Sequence, residues 1–402
     1  MLRTNVLVIG GGPAGSTAAR FLAENNIDTI LVERDLSYIK PCGGGIPSTA
    51  LHELNISEEV VKKKINKMRI VSPKGEDVEV ELKGGHLCIT GRGDFDSKLR
   101  EMAADKGASI MEAEFIRFDE VDRNITSTIR KRSAGEEIKI KSDYVIASDG
   151  ITFRAGSSIR HERPDCLYTI SAHIKPTPSL ALPLEGGGLG GDDACEFWFG
   201  SNHSSNFYSW VFPSQEYSSI GTGSKNPKEL TALLDRFIRR RFGIYPPNPP
   251  LGKRIRGGAA ENFLGQNLIN KPRAFKVPEW NGTLFNTKNI LFAGDAAGIV
   301  MPITYEGIYY AMKSGEFAAR AAIEGRPALY KKLWNSRFRN RFLLMSKIRN
   351  YLFKSDSNIE KFVALHKLPE VQEIAMRVWL KKEAGSSALI SYMKIFKHLL
   401  KI

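Results

Sequence analysis

Three glycines near the start of the chain, Gly10, Gly12 and Gly15, have the spacing of a turn that binds phosphate. A short apolar run precedes them and an alanine-rich stretch follows, which predicts a strand, a turn and a helix. Glycine at these positions lets the backbone approach a pyrophosphate closely, and N–H groups at the helix N-terminus can bind it. The pattern therefore predicts a dinucleotide site; the alternative is an ordinary glycine turn in an α/β protein.

Acidic residues end two further predicted strands. Glu33 closes the strand after the first helix, where a carboxylate accepts a hydrogen bond from a ribose hydroxyl and repels a 2′-phosphate. The predicted nucleotide is therefore FAD or NAD. Asp295 follows Gly294 at a strand end far along the chain, where it can reach a sugar-like hydroxyl. Two separated contacts fit a long ligand such as FAD better than NAD.

A thiol stands in a glycine-rich loop soon after the second strand. Three consecutive glycines follow Cys42, and such a backbone can lie against a flat ligand while the turn presents the thiol. The alternative is a glycine loop with an incidental small apolar residue. The four cysteines show neither a disulfide framework nor a CxxC zinc pattern, so free thiols and no metal site are expected. A bridge between Cys166 and Cys195 is the alternative.

The order of predicted elements indicates an α/β chain with a Rossmann-type FAD-binding domain, an inserted antiparallel-sheet substrate domain and a C-terminal helical segment. The inserted domain is predicted because short strands alternate with glycine and proline breaks, among them Gly186–Gly191 and Pro246–Pro250. The predicted bounds are 1–45, 85–155 and 285–328 for the FAD-binding domain, 46–84 and 156–284 for the substrate domain, and 329–402 for the basic helical segment.

Other candidate site residues lie on a predicted strand and at two predicted helix starts. A period of two puts Tyr208, Trp210 and Phe212 on one face, which is either sheet core or the wall of an apolar pocket. Arg92 lies in the stretch that leads into a predicted helix beginning at Ser97, and it either holds an anionic cofactor or is an exposed residue of the cap region. Tyr305 and Glu306 precede the helix that runs toward residue 325, and they are candidates for a proton relay.

The net charge of +14 is concentrated at the C-terminal end, where residues 331–402 hold 16 basic and 5 acidic side chains. Aromatic and aliphatic residues interleave with these charges, which predicts amphipathic basic helices. The alternatives are helices packed on the body, docking to an anionic membrane surface, or binding of an acidic protein; nucleic acid is not the expected partner. With no bilayer-spanning apolar run and no charged leader, the expected location is the cytoplasm, with peripheral contact at the inner membrane face as an alternative.

Several of these motifs together resemble known flavoproteins. The nucleotide motifs resemble the FAD sites of the p-hydroxybenzoate hydroxylase structural class; they are Gly10 to Gly15, Glu33, Arg92, Asp149-Gly150 and Gly294-Asp295. Others resemble the geranylgeranyl reductases, a family that includes archaeal digeranylgeranylglycerophospholipid reductases and the plant and bacterial enzymes that form phytyl groups. These are Lys40-Pro-Cys42-Gly-Gly, Tyr208-x-Trp210-x-Phe212-Pro213, Gly221-x-Gly223 and the Gly307-Ile308 helix start. The likeness covers about residues 1 to 330.

The resemblance implies a set of FAD contacts, with Glu33 on the ribose and Asp295 on the ribityl chain. The implied contacts are Gly10, Gly12, Ala14, Gly15, Glu33, Cys42, Gly43, Gly45, Arg92, Ala113, Asp295, Gly307 and Ile308. It also implies a prenyl channel lined by Tyr208, Trp210, Phe212 and Tyr305. Ser214 stands where the family usually has lysine, which removes that lysine as a headgroup contact.

The implied reaction is the saturation of isolated double bonds in geranylgeranyl chains, for which archaeal-type ether lipid precursors are the expected substrates. Reduced FAD would supply hydride. Because an isolated double bond has no electron sink, a proton must accompany the hydride, and Cys42, Tyr208 and Trp210 are the candidate catalytic residues. The donor of electrons is NAD(P)H or ferredoxin, since no second nucleotide motif is found. The alternatives are an FAD-dependent aromatic monooxygenase and a non-catalytic carrier of prenyl lipids.

Overall fold

The computed structural model describes residues 1–122, 124–132, 135–176, 194–243, 265–282, 284, 286–382 and 390. The chain divides into two compact units. The first unit comprises Met1–Lys40, Arg92–Cys166 and Val277–Ser346. The second unit comprises Pro41–Gly91, Leu167–Lys276 and Lys347–Ile402. The predicted glycine and proline breaks at 186–191 and 246–250 and most of residues 383–402 lie outside the described part of the chain.

The strands are β1 Leu2–Ile9, β2 Thr29–Glu33, β3 Gly45–Pro47, β4 Val61–Ile65, β5 Lys67–Val71, β6 Asp77–Glu81, β7 Leu87–Thr90, β8 Ser109–Val121, β9 Ile125–Lys131, β10 Glu137–Ala147, β11 Cys166–Ile174, β12 Ala194–Trp198, β13 Ser209–Pro213, β14 Ser218–Ser224, β15 Arg273–Pro278, β16 Asn286–Thr287 and β17 Ile290–Phe292. The helices are α1 Pro13–Glu24, α2 Ser48–Glu53, α3 Arg92–Asp105, α4 Arg154–Ser158, α5 Leu230–Phe242, α6 Ile308–Ile323, α7 Pro327–Trp334, α8 Asn340–Leu352, α9 Asp356–Leu365 and α10 Pro369–Trp379. A π-helical turn, Asn335–Arg339, joins α7 to α8.

A seven-stranded sheet forms the centre of the first unit. Strand β1 runs parallel to β2 on one side and to β10 on the other, and β17 continues the parallel set beyond β10. Strand β9 pairs antiparallel with both β8 and β10. The register aligns Ile9, Val32, Ala147 and Phe292, so the turns that follow these strands begin at one edge of the sheet. Ligands of such sheets bind at the carboxyl ends of the strands.

The predicted strand, turn and helix at the start of the chain are confirmed as β1, α1 and β2. The first helix buries an alanine-rich face that includes Ala18 and Leu22, and small side chains there allow close packing against the sheet. The apolar side chains of Leu7, Val145 and Phe292 belong to the core of this unit. The elements predicted from the sequence pattern are thus the elements whose apolar side chains form the core of this unit.

The second unit contains a seven-stranded sheet and a three-stranded sheet. The larger sheet has the order β15-β11-β14-β13-β12-β5-β6, and its pairings with a described register are antiparallel except for the parallel pair β12–β5. Helix α5 packs Leu234 and Phe237 against this sheet. The smaller sheet has the order β3-β7-β4.

The compact units and the predicted domains divide the chain at different residues. Residues 41–45 and 85–91 cluster with the second unit because β3 and β7 pair with each other and β7 pairs with β4. The part of the C-terminal segment from residue 347 onward also clusters with the second unit. No helix among the described residues is long and apolar enough to cross a membrane.

A buried ion pair ties α5 to the larger sheet of the second unit. The carboxylate of Glu196 on β12 accepts hydrogen bonds from the Arg241 guanidinium at 2.5 and 2.6 Å and from the Trp198 indole at 2.7 Å. Both charged side chains are at most 4% exposed. An ion pair this deeply buried is costly to break, because the remaining charge then has no solvent to stabilise it.

Replacing Glu196 by leucine is therefore expected to lower the free energy of unfolding by about 3–5 kcal/mol, since the buried Arg241 would keep its charge after the carboxylate is removed. A urea titration followed by tryptophan fluorescence measures this loss. The matched control is Glu76→Gln, which breaks an exposed ion pair with Lys367 and should leave the unfolding midpoint nearly unchanged. Equal midpoints for the two variants would contradict the prediction.

Candidate active site

The glycine turn of the first unit leaves a gap at the start of α1. A Cβ atom on Gly15 would lie 1.9 Å from the Gly10 carbonyl oxygen, so only glycine lets the helix begin this close to β1. A Cβ on Gly12, by contrast, would meet no heavy atom within 4 Å. Gly12 is the N-cap residue and offers no side chain to the first N–H groups of the helix. Open space beside N–H groups that lack a cap fits the pyrophosphate of a dinucleotide.

Glu33 lies beside this turn. Its carboxylate accepts hydrogen bonds from the backbone N–H groups of Gly11 at 2.6 Å and Asp35 at 3.1 Å, which fixes the side chain at the carboxyl end of β2. Arg100 on α3 donates to the carbonyl oxygens of Gly11 at 3.2 Å and Leu36 at 2.9 Å, so it ties the glycine turn to the backbone that follows Glu33. Arg100 was not predicted as a site residue, because nothing in its own helix marks it as facing the turn.

Asp295 reaches the same edge from the other end of the first unit. It stands in the 3₁₀ turn Gly294–Ala297 after β17. A Cβ on Gly294 would lie 3.0 Å from the Ala14 methyl group, so this turn packs directly on the start of α1. Lys40 forms an ion pair with the Asp295 carboxylate and was also missed by the sequence analysis. The first unit therefore brings Asp295 and the glycine turn together, as a ligand that contacts both requires.

The segment before α6 is a tight turn. Tyr305 has a positive φ of 50°, and the backbone N–H of Met301 donates to the carbonyl oxygen of Glu306. Helix α6 then begins at Ile308 with Gly307 as its N-cap. A Cβ on Gly307 would lie 3.8 Å from the Asp295 carboxylate, which places these two predicted FAD contacts side by side.

The buried phenol of Tyr310 lies in the first turn of the same helix. Burial raises the pKa of Tyr310 well above its usual value, and the nearby Glu306 carboxylate raises it further, although Arg341 donates a hydrogen bond to it. Tyr310 is therefore a neutral phenol at physiological pH. The carboxylate of Glu306 and this phenol place two proton-carrying groups at the start of α6.

Two predicted FAD contacts have surroundings that the sequence did not indicate. Arg92 is 7% exposed and makes a two-point ion pair with Asp96, at 3.1 and 2.6 Å, so the alternative of an exposed cap residue is wrong. The Ala113 side chain is buried in the core of the first unit, so a ligand contact there would be made by its backbone. Both contacts remain predictions.

In the second unit, the glycine loop that carries Cys42 packs against the predicted aromatic wall. A Cβ on Gly43 would lie 2.6 Å from the Phe212 ring, so glycine is required for this approach. Thr90 holds the loop through its backbone N–H, which donates to the Gly44 carbonyl oxygen at 3.0 Å. The Gly44 N–H lies 3.4 Å from the Cys42 sulfur and donates to it. Cys42 is half-buried and directly precedes the glycine that packs on Phe212.

The aromatic wall is larger than predicted. Trp210 and Phe212 lie on β13 and Tyr208 directly precedes it. Phe197 on β12 packs edge-on against Tyr208 and Phe212 at centroid distances of 5.2 and 5.1 Å. Phe207 stacks on Tyr208 at 4.7 Å. The glycines of the Gly221-x-Gly223 motif leave room for the rings, because a Cβ on Gly221 would lie 2.2 Å from Trp210. Phe197 and Phe207 were expected among the aromatics of neighbouring strands, but the predicted face comprised only Tyr208, Trp210 and Phe212.

All four cysteines are free thiols, so the alternative of a Cys166–Cys195 bridge is wrong. Burial raises the pKa of the Cys88 thiol to about 12 and raises that of Cys195 well above its usual value. Cys42 and Cys166 are half-buried. Among the described residues, no cluster of His, Cys, Asp and Glu side chains could hold a metal ion.

Alkylation of the native chain by a maleimide near pH 7.5 is expected to modify Cys42 and Cys166 and to leave Cys88 and Cys195 unmodified, because the thiolate is the reactive form. Peptide mapping by mass spectrometry reads out the sites. Urea-unfolded chain is the control, and all four cysteines should react in it. If FAD contacts Cys42 as predicted, added FAD should slow the modification of Cys42 and leave that of Cys166 unchanged.

Comparison with known proteins identifies relatives over nearly the whole chain. Residues 3–165 match the family of FAD binding domains. The geranylgeranyl diphosphate reductase of Rhodobacter capsulatus is 29% identical, and the alignment covers 99% of this chain and 97% of that protein. The digeranylgeranylglycerophospholipid reductase of Methanosarcina acetivorans is 27% identical over 80% of this chain and 75% of its own length. The chain is thus similar, over nearly its whole length, to proteins named geranylgeranyl reductases.

A solved structure shares the fold of this chain. A geranylgeranyl bacteriochlorophyll reductase-like protein from Thermoplasma acidophilum superposes with a TM-score of 0.76 at 23% identity, over 98% of this chain and 100% of its own. A flavin-dependent brominase and a nitrophenol monooxygenase have the same fold. The predicted fold class, the resemblance and the choice of FAD over NAD are thereby confirmed.

Proposed function

We propose that this chain saturates isolated double bonds in geranylgeranyl chains, with FAD as its cofactor. The observation that supports the proposal is that Cys42 is half-buried and directly precedes Gly43, the glycine that packs against the aromatic wall of the second unit. Two relatives are named geranylgeranyl diphosphate reductase and digeranylgeranylglycerophospholipid reductase. These names support the same substrate class. An aromatic hydroxylase needs neither the thiol loop nor this wall.

The residues of the chain suit the chemistry. Bound FAD, once reduced, supplies a hydride. An isolated double bond accepts a hydride only where a proton is added to it as well, because no neighbouring carbonyl stabilises a carbanion. Cys42 would donate this proton, directly or through a water molecule. The faces of Tyr208 and Trp210 would stabilise the developing positive charge and exclude water from it.

Three finer points belong to the proposal. The substrates are precursors of archaeal-type membrane ether lipids, a specificity that homologues from bacteria, plants and archaea do not decide. The electron donor is NAD(P)H or ferredoxin. The proposed location is the cytoplasm, and the alternative is peripheral contact with the inner face of the membrane through the basic segment 329–402.

Mass spectrometry of a geranylgeranyl phospholipid tests the proposal. The lipid is incubated without oxygen with purified, chemically reduced protein, and a stepwise gain of hydrogen pairs is the expected result. Free FAD reduced to the same extent is the control. An unchanged lipid that stays bound would favour a carrier. Oxygen incorporated into an aromatic compound, once air and NAD(P)H are admitted, would favour a monooxygenase.

A further inference from the structure

The helical segment that follows α6 has an unusual distribution of charge. Between Glu324 and Asp356 the sequence contains nine Lys and Arg residues and no acidic residue. Two of these cations are directed to tyrosines on α6: Arg337 donates to the Tyr309 hydroxyl at 3.2 Å, and Arg341 to Tyr310. The structure therefore separates cations that serve packing from those that face outward.

Three of the outward cations line one cleft on the first unit. Lys331, Lys332 and Arg339 form a cationic wall with Asn335, Ser336 and Asn340, and Gly282 and Leu284 also line the cleft. The cleft has a volume of about 710 Å³. Throughout the part of the chain that the structure describes, none of the three cations makes an ion pair. Three exposed charges of one sign are thus held together without a compensating group.

The π-helical turn explains how these residues come to face the same way. They recur at a spacing of four, which overshoots an α-helical turn of 3.6 residues. The same spacing falls short of the wider π-helical turn at Asn335–Arg339, so the two deviations offset each other. The turn also makes α7 continuous with α8, so Lys331 and Lys332 do not serve a free helix C-terminus. Turns of this kind occur frequently at functional sites.

We infer that this cleft binds a phosphate or diphosphate group. Lysine and arginine supply the charge that such an anion needs, and arginine can also donate two hydrogen bonds to one phosphate. The side-chain amides of Asn335 and Asn340 add neutral donors at the same wall. The phosphate belongs either to a lipid headgroup or to a small soluble molecule, and both present the same chemistry. The inference depends on neither FAD binding nor reductase activity.

Calorimetric titration with inorganic pyrophosphate at constant ionic strength tests the site. The cleft variant carries Lys331→Gln, Lys332→Gln and Arg339→Gln. A control variant loses the same charge from the same basic segment outside the cleft, through Arg326→Gln, Lys347→Gln and Lys354→Gln. The cleft variant is expected to raise the dissociation constant at least about tenfold, and the control less than about twofold. Thermal unfolding and FAD content show whether both variants are folded.

Sedimentation with vesicles distinguishes the two sources of phosphate. If lipid headgroups occupy the cleft, the protein sediments with phosphatidylglycerol vesicles but not with phosphatidylcholine vesicles, and pyrophosphate releases it. If a small molecule is the ligand, pyrophosphate binds in solution and does not affect sedimentation. The inference is overturned if pyrophosphate and anionic vesicles both fail to bind. Equal loss of binding in the cleft and control variants also overturns it, because diffuse charge then accounts for the effect.

Discussion

A chain with alanine in place of Gly15 is expected to purify without FAD. The new Cβ would lie 1.9 Å from the Gly10 carbonyl oxygen and 2.5 Å from the Ser148 hydroxyl, and the nearer of these atoms belongs to the backbone. The start of α1 would have to move away from the carboxyl end of β1, and its N–H groups would move with it. The affinity for FAD should fall by about 100-fold or more. Absorbance of the purified protein and titration with FAD measure the loss.

Gly12→Ala is the matched variant, because a Cβ there would meet no atom of the protein within 4 Å. The unfolding midpoint without FAD should stay close to that of the unchanged chain. The affinity for FAD should still fall by about tenfold, since the methyl group takes up space predicted for the pyrophosphate. If Gly12→Ala binds FAD normally while Gly15→Ala does not, the turn is structurally necessary and the predicted contact at Gly12 is wrong.

The nucleotide motif could be predicted from the sequence because each part of it is local. The apolar run that forms β1 and the glycines that follow it lie within one short stretch. Glu33 could be placed because the end of a neighbouring parallel strand meets the same sheet edge. Asp295 required one further inference, that a distant Gly-Asp at a strand end returns to this edge.

The partners of these residues could not be predicted, because they depend on contacts between distant parts of the chain. Lys40 reaches Asp295 across 255 positions of sequence, and Arg100 meets Gly11 across 89. Phe197 joins the aromatic wall because β12 pairs with β13 in the register that sets Phe197 opposite Trp210. The alternation of apolar and polar residues along one strand predicts which side chains share a face. It does not predict which residue of the neighbouring strand lies opposite.

Arg92 differs from these cases, because a signal for its surroundings was present in the sequence. The helix was predicted to begin at Ser97, whereas α3 begins at Arg92, so Asp96 stands four residues later on the same helix, a spacing at which side chains meet. A buried arginine with this partner has part of its charge already satisfied, so any phosphate contact would be made in competition with Asp96. The exposed alternative is wrong because the helix begins five residues earlier than predicted, which brings Arg92 and Asp96 onto one face of it.

Replacing Cys42 by alanine is expected to slow double-bond reduction by about 10²- to 10⁴-fold, the usual contribution of a positioned proton donor. The proposal assigns the thiol this role because its loop packs on Phe212, where a prenyl chain would lie. Single-turnover reduction of a geranylgeranyl lipid, followed by mass spectrometry, measures the rate. FAD content and the rate at which dithionite reduces the bound FAD should remain unchanged, since neither depends on a proton for the lipid.

Cys88→Ala is the control for removing a thiol. Cys88 is fully buried in β7, where burial raises its pKa to about 12, so its loss should affect packing and leave the reduction rate within about twofold. Cys42→Ser separates the two routes for the proton. A hydroxyl can still hold a water molecule, so a relay through water would recover part of the rate, whereas direct donation by the thiol would not. Full turnover by Cys42→Ala with FAD bound would eliminate both routes and leave the tyrosine and glutamate before α6 as the proton donors to test.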